Sequence, residues 1–460
     1  MNNTIARLKS KNNLKTFFWS GSFISGILIG LNAPGLGTHW IGLISFLPLI
    51  FTLEKIHTKK NLSLKRKALV YFGFCWVTGG IAASIGGNWI TNSAHVFGHL
   101  NWGSALIITC LGYGLEVGFQ LFVYFGVPMI LISRLHYWDL PLRIFYIIAI
   151  DPWYPRLIHW NYGGLTFSEF PWIEQVADIV GSSGLLFYSA GLAFLCIGWI
   201  RVRYNKLSKR KMLYTSFIYL LFWIIGLSYG AWKSSILEKN YSDRNIKSSN
   251  LTVIVVQPNF SLQDLALSPD LAYSKRRGNL NSLIDDSTKA LSKLNKNINT
   301  EKILVWPESV FPYAYFKSEK ARKIISSFAK LNQTNILFTT VDWDNTNTEQ
   351  KFYGVSVLVS KNGVVLGRYN KIFLIPFGEM IPFSKWFPSA AQWLRDNISN
   401  MSEFDRGSEY TVFSVSENIQ ISAPICFDIF NPSVIRGMVE NGSKLVLNLS
   451  NLAWFGETTA

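Results

Sequence analysis

What most constrains this chain is a succession of apolar segments confined to its first half. Seven stretches, at 16–33, 39–53, 68–87, 103–133, 144–158, 177–200 and 212–232, approach the length of about 20 residues that a helix needs to cross a hydrocarbon core. The second and fifth are short, and the fifth contains Asp151, Pro152 and Pro155, so these two are expected to be broken or re-entrant. Composition agrees: the 460 residues are 49% hydrophobic and only 16% charged, which excludes a disordered chain and does not suit a soluble enzyme. Residues 1–232 therefore read as a polytopic membrane domain of about seven spans, 233–250 as a linker, and 251–460 as a separate domain.

The net charge of +16 does not indicate nucleic acid, because the cations gather in short loops between apolar runs. Arg7, Lys9, Lys11 and Lys15 precede the first span, and Lys55, Lys59, Lys60, Lys65, Arg66 and Lys67 follow the second. Arg134 and Arg143 lie after the fourth, and Arg201, Arg203, Lys206, Lys209, Arg210 and Lys211 follow the sixth, whereas the opposite loops offer only Arg156. The positive-inside bias puts the N-terminus in the cytoplasm, and an odd number of spans delivers everything after Trp232 to the outer side. Within the spans, Glu116, Gln120 and Asp178 are polar residues that call for a function. Glu116 and Gln120 share a helix face, and a mutual or interhelical hydrogen bond is favoured for them over a lipid-headgroup cleft.

The second half changes period. Runs of strand length occur at 251–257, 302–306, 336–340, 355–359, 364–369, 419–425 and 444–448, with a Lys361-Asn362-Gly363 turn and helical patterns at 270–294 and 318–331. This alternation predicts a layered α/β domain with a mixed sheet. All six histidines, His39, His57, His95, His99, His136 and His159, lie in the first half, so the α/β domain holds neither a histidine-based triad nor a histidine-based zinc site. Any general base there is a carboxylate or a lysine.

Three strand ends stand out. Cys426 follows the apolar strand 419–425, Glu308 follows Ile303-Leu-Val-Trp-Pro307, and Lys371 follows Tyr369-Asn370. Singly, each has an ordinary explanation: a small core thiol is an equal reading for Cys426, and a charged strand end is usually just solvated. Together the residues carry a resemblance. Val305-Trp-Pro-Glu-Ser309, Tyr369-Asn-Lys-Ile372 with Pro376-Phe-Gly-Glu379, and Ile425-Cys426 with Asn448-Leu-Ser-Asn451 and Ala453-Trp-Phe-Gly456 resemble the nitrilase superfamily with its Glu-Lys-Cys triad. Joined to a polytopic membrane half that includes Ala177-Asp-Ile-Val-Gly181, the whole chain resembles the bacterial apolipoprotein N-acyltransferases.

That resemblance implies a multi-pass α-helical membrane domain followed by an α/β nitrilase-like αββα sandwich on the periplasmic side of the inner membrane. It implies Cys426 as nucleophile, Glu308 as general base and Lys371 as the cation facing the oxyanion, supported by Glu379, Phe427, Asp428 and Asn451. The implied reaction moves an acyl chain from a phospholipid donor, through a cysteine thioester, to the α-amine of a diacylglyceryl-modified apolipoprotein, without metal or cofactor. The partners implied are those two substrates and the bilayer, with no nucleic acid and a monomeric enzyme. The aromatic stretch 380–394 reads as a membrane-facing lid carrying Trp386, Phe387 and Trp393, with a loop packed on the domain's own core as the alternative.

Some positions depart from the family pattern. Phe427 and Asp428 stand where tyrosine and glutamate are usual, Leu452 replaces an aspartate, and 257–266 lacks a usual tryptophan. Relatives extend beyond the point corresponding to Ala460 with further strands, helices and a final span, so part of the catalytic domain is expected to be missing. A membrane-anchored amidase and a non-catalytic lipid-binding remnant are the competing readings.

Overall fold

The computed structural model describes residues 19–33, 36, 38–58, 62–96, 98–132, 138–158, 161–243, 251–260, 269–294, 300–311, 313–345, 350–397, 403–456 and 458. The loop cations Arg7, Lys9, Lys11, Lys15, Lys59, Lys60 and Arg134, together with His136, His159 and Ala460, lie outside the described residues, as does 244–250 of the expected linker. The chain divides into two compact units, the first essentially up to Arg244 and the second from Asn245 to Gly456.

Among the described residues of the first unit, five helices are long and apolar enough to cross a membrane: His39–His57, Leu64–Gly86, Trp102–Leu131, Leu186–Arg203 and Lys209–Asn240. Trp19–Leu31 is a shorter apolar helix. The fifth expected span is the helix Asp139–Ile150, which at 1.5 Å per residue is only about 18 Å long. It ends in the turn Asp151–Trp153, where Pro152 removes a backbone donor. The sixth breaks at Gly181, whose φ of +67° suits glycine, and resumes as Leu186–Arg203. The last helix is continuous from Lys209 to Asp243.

Small residues set a close helix contact. A Cβ on Gly79 would lie 2.4 Å from the Gly114 carbonyl oxygen and the Gly118 nitrogen, so the helices Leu64–Gly86 and Trp102–Leu131 meet backbone to backbone. Two π-turns, Thr109–Tyr113 and Phe122–Gly126, interrupt the second of these helices.

Polar groups inside this unit satisfy one another. Glu116 Oε1 accepts from the backbone nitrogens of Leu157 (2.7 Å) and Ile158 (3.1 Å), and Gln120 donates to Tyr124 Oη at 2.8 Å. The expected pairing of Glu116 with Gln120 or with another helix side chain is thus replaced. The irregular backbone after Pro155 is only partly exposed, and the Glu116 carboxylate caps it. Asp151 accepts from Tyr124, Arg156 and Ser183. Asp178 pairs with Lys233 at 2.8 Å and accepts from Tyr229. Three cations counted as loop charges are corrected here. Arg143 and Arg201 are buried or nearly so, shared between Glu54 and Asp139, and Arg156 is buried against Asp151.

The second unit is built on β1 (Leu251–Val255), β2 (Glu301–Val305), β3 (Asn335–Asn345), β4 (Gln350–Val359) and β5 (Val365–Asn370), hydrogen-bonded in that order. The first three are parallel, and β4 and β5 add antiparallel hairpin strands. A smaller sheet joins β6 (Phe413–Ser416), β7 (Ile419–Ser422) and β8 (Leu445–Val446). Alternation on β2 sorts the layers. Leu304, Ile336, Phe338, Val355 and Val357 pack on Leu280, Leu283, Ile325 and Phe328 from the helices Pro269–Ser292 and Glu319–Asn332. Ile303, Val305, Leu337, Leu358 and Tyr369 face the smaller sheet, meeting Phe413, Ile421, Ala423, Ile425 and Met438. The β4–β5 turn carries Gly363 at φ +74°, the left-handed position expected of Lys361-Asn362-Gly363. Strand β6 and the helix Pro388–Asn397 are additions that the sequence patterns did not announce.

Candidate active site

Three strand ends converge between the two sheets. β2 delivers Glu308 through Trp306 and Pro307; Trp306 is fully buried and donates to Ser287 at 2.9 Å, which anchors the turn. β5 delivers Lys371, whose backbone nitrogen still bonds Gly354 on β4 at 2.9 Å. Beyond β7, Cys426 opens the 3₁₀ turn Cys426–Phe430 with φ +49°. A non-glycine residue in that region carries strain of order 1–3 kcal/mol, which the surroundings must hold.

They hold it through backbone and carboxylate. Cys426 nitrogen donates to the Leu449 carbonyl at 2.8 Å, and Asn448 Nδ2 donates to the Cys426 carbonyl at 3.2 Å. Asp428, fully buried, accepts from Ile425 nitrogen (3.0 Å), Phe373 nitrogen (2.7 Å) and Tyr369 hydroxyl (2.8 Å). One carboxylate therefore ties the cysteine turn to both sides of Lys371, so the aspartate reaches what the family's longer glutamate would serve. Phe427 stacks on Phe373 at 5.7 Å and 6°, an apolar contact that needs no hydroxyl.

Charge is concentrated at the centre. Lys371 is 1% exposed, and its Nζ lies 2.7 Å from Glu379 Oε1 and 3.6 Å from Glu308 Oε1. Glu379 is fixed in turn by Ile375 nitrogen at 2.9 Å. Glu308 is an electrostatic neighbour of the Cys426 thiol, and Ser450 Oγ donates to Cys426 Sγ at 3.5 Å. Asn451 grips Glu308 twice, its backbone nitrogen on Oε2 and its Nδ2 on the carbonyl, both at 3.3 Å. Every expected triad and supporting residue, Glu308, Lys371, Cys426, Glu379, Phe427, Asp428 and Asn451, falls in this one cluster.

Burial raises the Glu308 pKa above the usual carboxylate range; Lys371 opposes the rise and Glu379 reinforces it. Burial also pushes the Cys426 thiol up to about 12, with Glu308 adding to the rise while Lys371 and the Ser450 hydroxyl pull it back. Lys371 is drawn down by burial, but Glu308, Glu379 and Cys426 outweigh that and hold it protonated. A lysine beside a thiol by itself favours thiolate. Here that lysine is shared by two carboxylates, so the resting sulfur keeps its proton. A reluctant thiol facing a carboxylate readier than usual to accept a proton is suited to concerted proton transfer during attack.

The aromatic stretch is exposed. Trp386 is 78%, Phe387 62% and Trp393 61% accessible, and Phe383 is also exposed. The alternative of a loop packed on its own core is not what forms. Sequence patterns missed Tyr369, Asn448 and Ser450 as parts of the site; their signal was the clustering of polar residues in 448–451 directly after an apolar strand.

A cysteine, a buried lysine and a glutamate at the ends of sheet strands, carried behind apolar spanning helices, define a nitrilase-superfamily domain joined to a membrane domain. Residues 278–460 match the Carbon-nitrogen hydrolase family, and residues 25–195 match the Apolipoprotein N-acyltransferase N-terminal domain. An apolipoprotein N-acyltransferase from Bdellovibrio bacteriovorus is 26% identical over 473 residues, covering 96% of this chain and 78% of the relative. One from Geobacter metallireducens is 25% identical, covering 95% and 78%. The chain belongs to the apolipoprotein N-acyltransferase family. Among solved structures, an amidase from Nesterenkonia sp. aligns at 18% identity and TM-score 0.30, over 45% of this chain and 68% of the amidase. A carbon-nitrogen hydrolase from Helicobacter pylori aligns at 16% and TM-score 0.28, over 38% and 55%.

Proposed function

We propose that this protein is an inner-membrane acyltransferase that N-acylates lipoproteins by a two-stage reaction through Cys426. In the first stage the thiol proton passes to Glu308 as Sγ attacks the ester carbonyl of a phospholipid. Lys371 stabilises the oxyanion, the ester C–O bond breaks, and the departing lysophospholipid oxygen takes the proton back from Glu308. In the second stage the α-amine of a diacylglyceryl-modified N-terminal cysteine attacks the thioester. Glu308 takes a proton from the amine and returns it to the leaving sulfur. Glu379 keeps Lys371 aimed, Asn451 aims Glu308, and Asp428 and Phe427 fix the turn that presents the nucleophile.

The observation that carries this proposal is the convergence of Cys426, Glu308 and Lys371, with Lys371 3.6 Å from the Glu308 carboxylate and the segment 448–451 bonded to both Cys426 and Glu308, in a chain whose relatives are named for lipoprotein acylation. Both substrates are anchored in lipid, which fits exposed aromatic side chains at Trp386, Phe387 and Trp393 as a membrane-facing lid. The charge bias, carried by Lys65, Arg66, Lys67 and 203–211, supports a cytoplasmic N-terminus with the catalytic domain on the periplasmic side. The enzyme acts as a monomer.

The test is incubation of the purified protein with phospholipid bearing a tagged acyl chain. A hydroxylamine-sensitive adduct on the wild type and none on Cys426→Ala is expected. An adduct that survives the substitution overturns the assignment of the nucleophile, and release of acyl groups from soluble amides alone would make this an amidase. A reporter fused at the C-terminus checks orientation, since an intracellular signal contradicts it.

A further inference from the structure

The segment 448–451 touches every moving part of the site. Asn448 holds the Cys426 carbonyl, the Leu449 carbonyl holds the Cys426 nitrogen, and Asn451 holds Glu308. A bridge between Ile425 and Leu449 keeps the segment in register with the nucleophile turn. Three of these four residues thus act on backbone or on the base. Ser450 is different, because its hydroxyl reaches the reacting atom itself, at 3.5 Å from Cys426 Sγ. At sulfur, whose radius exceeds that of oxygen, this is hydrogen-bonding distance.

We propose that Ser450 is a catalytic residue that donates a hydrogen bond to the Cys426 sulfur and thereby stabilises it as thiolate in both halves of the reaction. The proposal rests on Cys426 being the acyl-carrying nucleophile. Sγ has two polar neighbours of opposite sense. Glu308 is the carboxylate to which the proposed mechanism sends the S–H proton, and Ser450 supplies an O–H to the sulfur. In the neutral thiol the Ser450 bond is weak, because S–H sulfur is a poor acceptor. When the proton leaves for Glu308, sulfur becomes an anion and the same bond becomes charge-assisted. In the acyl-enzyme the sulfur lone pairs are drawn into the thioester and the bond weakens again. When the amine has added and the C–S bond breaks, the departing sulfur carries the electron pair and regains its donor before Glu308 reprotonates it. Ser450 therefore favours the ionised sulfur over both resting forms, which is what accelerates attack and departure alike.

Lys371 does not fill this role alone. It is committed to Glu379 at 2.7 Å and to Glu308 at 3.6 Å. With that ammonium held by two carboxylates, a neutral donor at the sulfur is a second means of favouring thiolate beside it. The lowering that Ser450 contributes to the thiol agrees in direction.

The test uses the full-length protein in detergent and measures carbamidomethylation of Cys426 by iodoacetamide, read by mass on the Cys426 peptide so that Cys75, Cys110 and Cys196 do not contribute. Well below the thiol pKa the rate follows the thiolate fraction. Ser450→Ala is expected to lower it by about tenfold to a hundredfold at each pH from 7 to 9, the size of a hydrogen bond to a charged group. Ser450→Thr keeps the hydroxyl and is expected to stay within about threefold of wild type, with Ser450→Cys, a weaker donor, in between. Variants are compared only where thermal unfolding matches the wild type, and any one folded member of the series is informative. A Ser450→Ala rate equal to wild type, or a Thr rate as low as Ala, overturns the proposal. Failure of the underlying acyl-transfer reading would look different: no thioester on the wild type, whatever the alkylation series gives.

Discussion

Replacing Lys371 by methionine keeps much of the side chain's volume and removes the one ammonium from a site with two carboxylates. At 3.6 Å and an effective dielectric of about 20, the Lys371–Glu308 attraction is roughly 4.6 kcal/mol by Coulomb's law, an upper figure for what the cation does to the base. A shift of one to three pKa units is the usual result for such a neighbour, so Glu308 should take up a proton that much more readily in the variant. Two consequences can be measured. Activity needs Glu308 ionised, so it falls as pH drops through the Glu308 pKa, and in Lys371→Met the acid limb of any residual thioester formation moves alkaline by about one to three units. Stability changes with the same sign. A carboxylate whose folded pKa lies above its unfolded value favours the fold at low pH and loses that contribution as pH rises through the two values. Lys371→Met should therefore melt furthest below wild type at pH 8 and recover towards it at pH 5, on top of a loss of about 10²–10³ in acylation rate from the missing oxyanion partner. An unmoved acid limb together with a melting deficit independent of pH would refute the placement of Lys371 as the cation that keeps Glu308 ionised.

Asp428→Asn preserves shape but turns one acceptor into a donor facing Phe373 nitrogen or the Ile425–Tyr369 pair, and should cost about 1–3 kcal/mol, read as a lower unfolding temperature, with thioester formation falling further than stability explains. Gly79→Val inserts branched carbons where a Cβ already sits 2.4 Å from backbone, so the helices Leu64–Gly86 and Trp102–Leu131 should separate, seen as loss of monodisperse protein in detergent. Glu116→Ala, which strips both Leu157 and Ile158 of their acceptor, should destabilise far more than Glu116→Gln, which keeps a carbonyl oxygen for them; equal melting temperatures would contradict the capping role. Trp386→Ser with Phe387→Ser and Trp393→Ser should slow acylation from phospholipid vesicles while leaving reaction with a soluble short-chain thioester donor near wild type.

Strand and helix periods in the second half carried most of the fold: the continuous apolar runs of β1 and β2 and the hairpin glycine at Gly363 are strong local signals. Glu308, Lys371 and Cys426 stood out because each follows an apolar strand and the three fall in motifs that match one family together. Less was legible where the cause is tertiary. Nothing local in the Glu116 region shows that its carboxylate would cap backbone from another segment, since that depends on where the chain after Pro155 enters the unit. Arg143 and Arg201 count as loop charges by sequence, yet Glu54 and Asp139 neutralise them from distant helices. Ser450 was silent because a serine beside a strand end has many ordinary explanations, and only its distance to Sγ separates it from them.

The bond from Asn451 to Glu308 joins residues 143 positions apart. Closing so long a loop is slow, and the parallel pairings of β1, β2 and β3 delay it further. During synthesis the β2 turn with Glu308 is made well before the residues that aim it, so the catalytic carboxylate waits without a partner while more than half of its domain is still to come. On the proposed mechanism the base is aimed only once the 448–451 contacts form, so the onset of acylation would report that this part of the domain has closed.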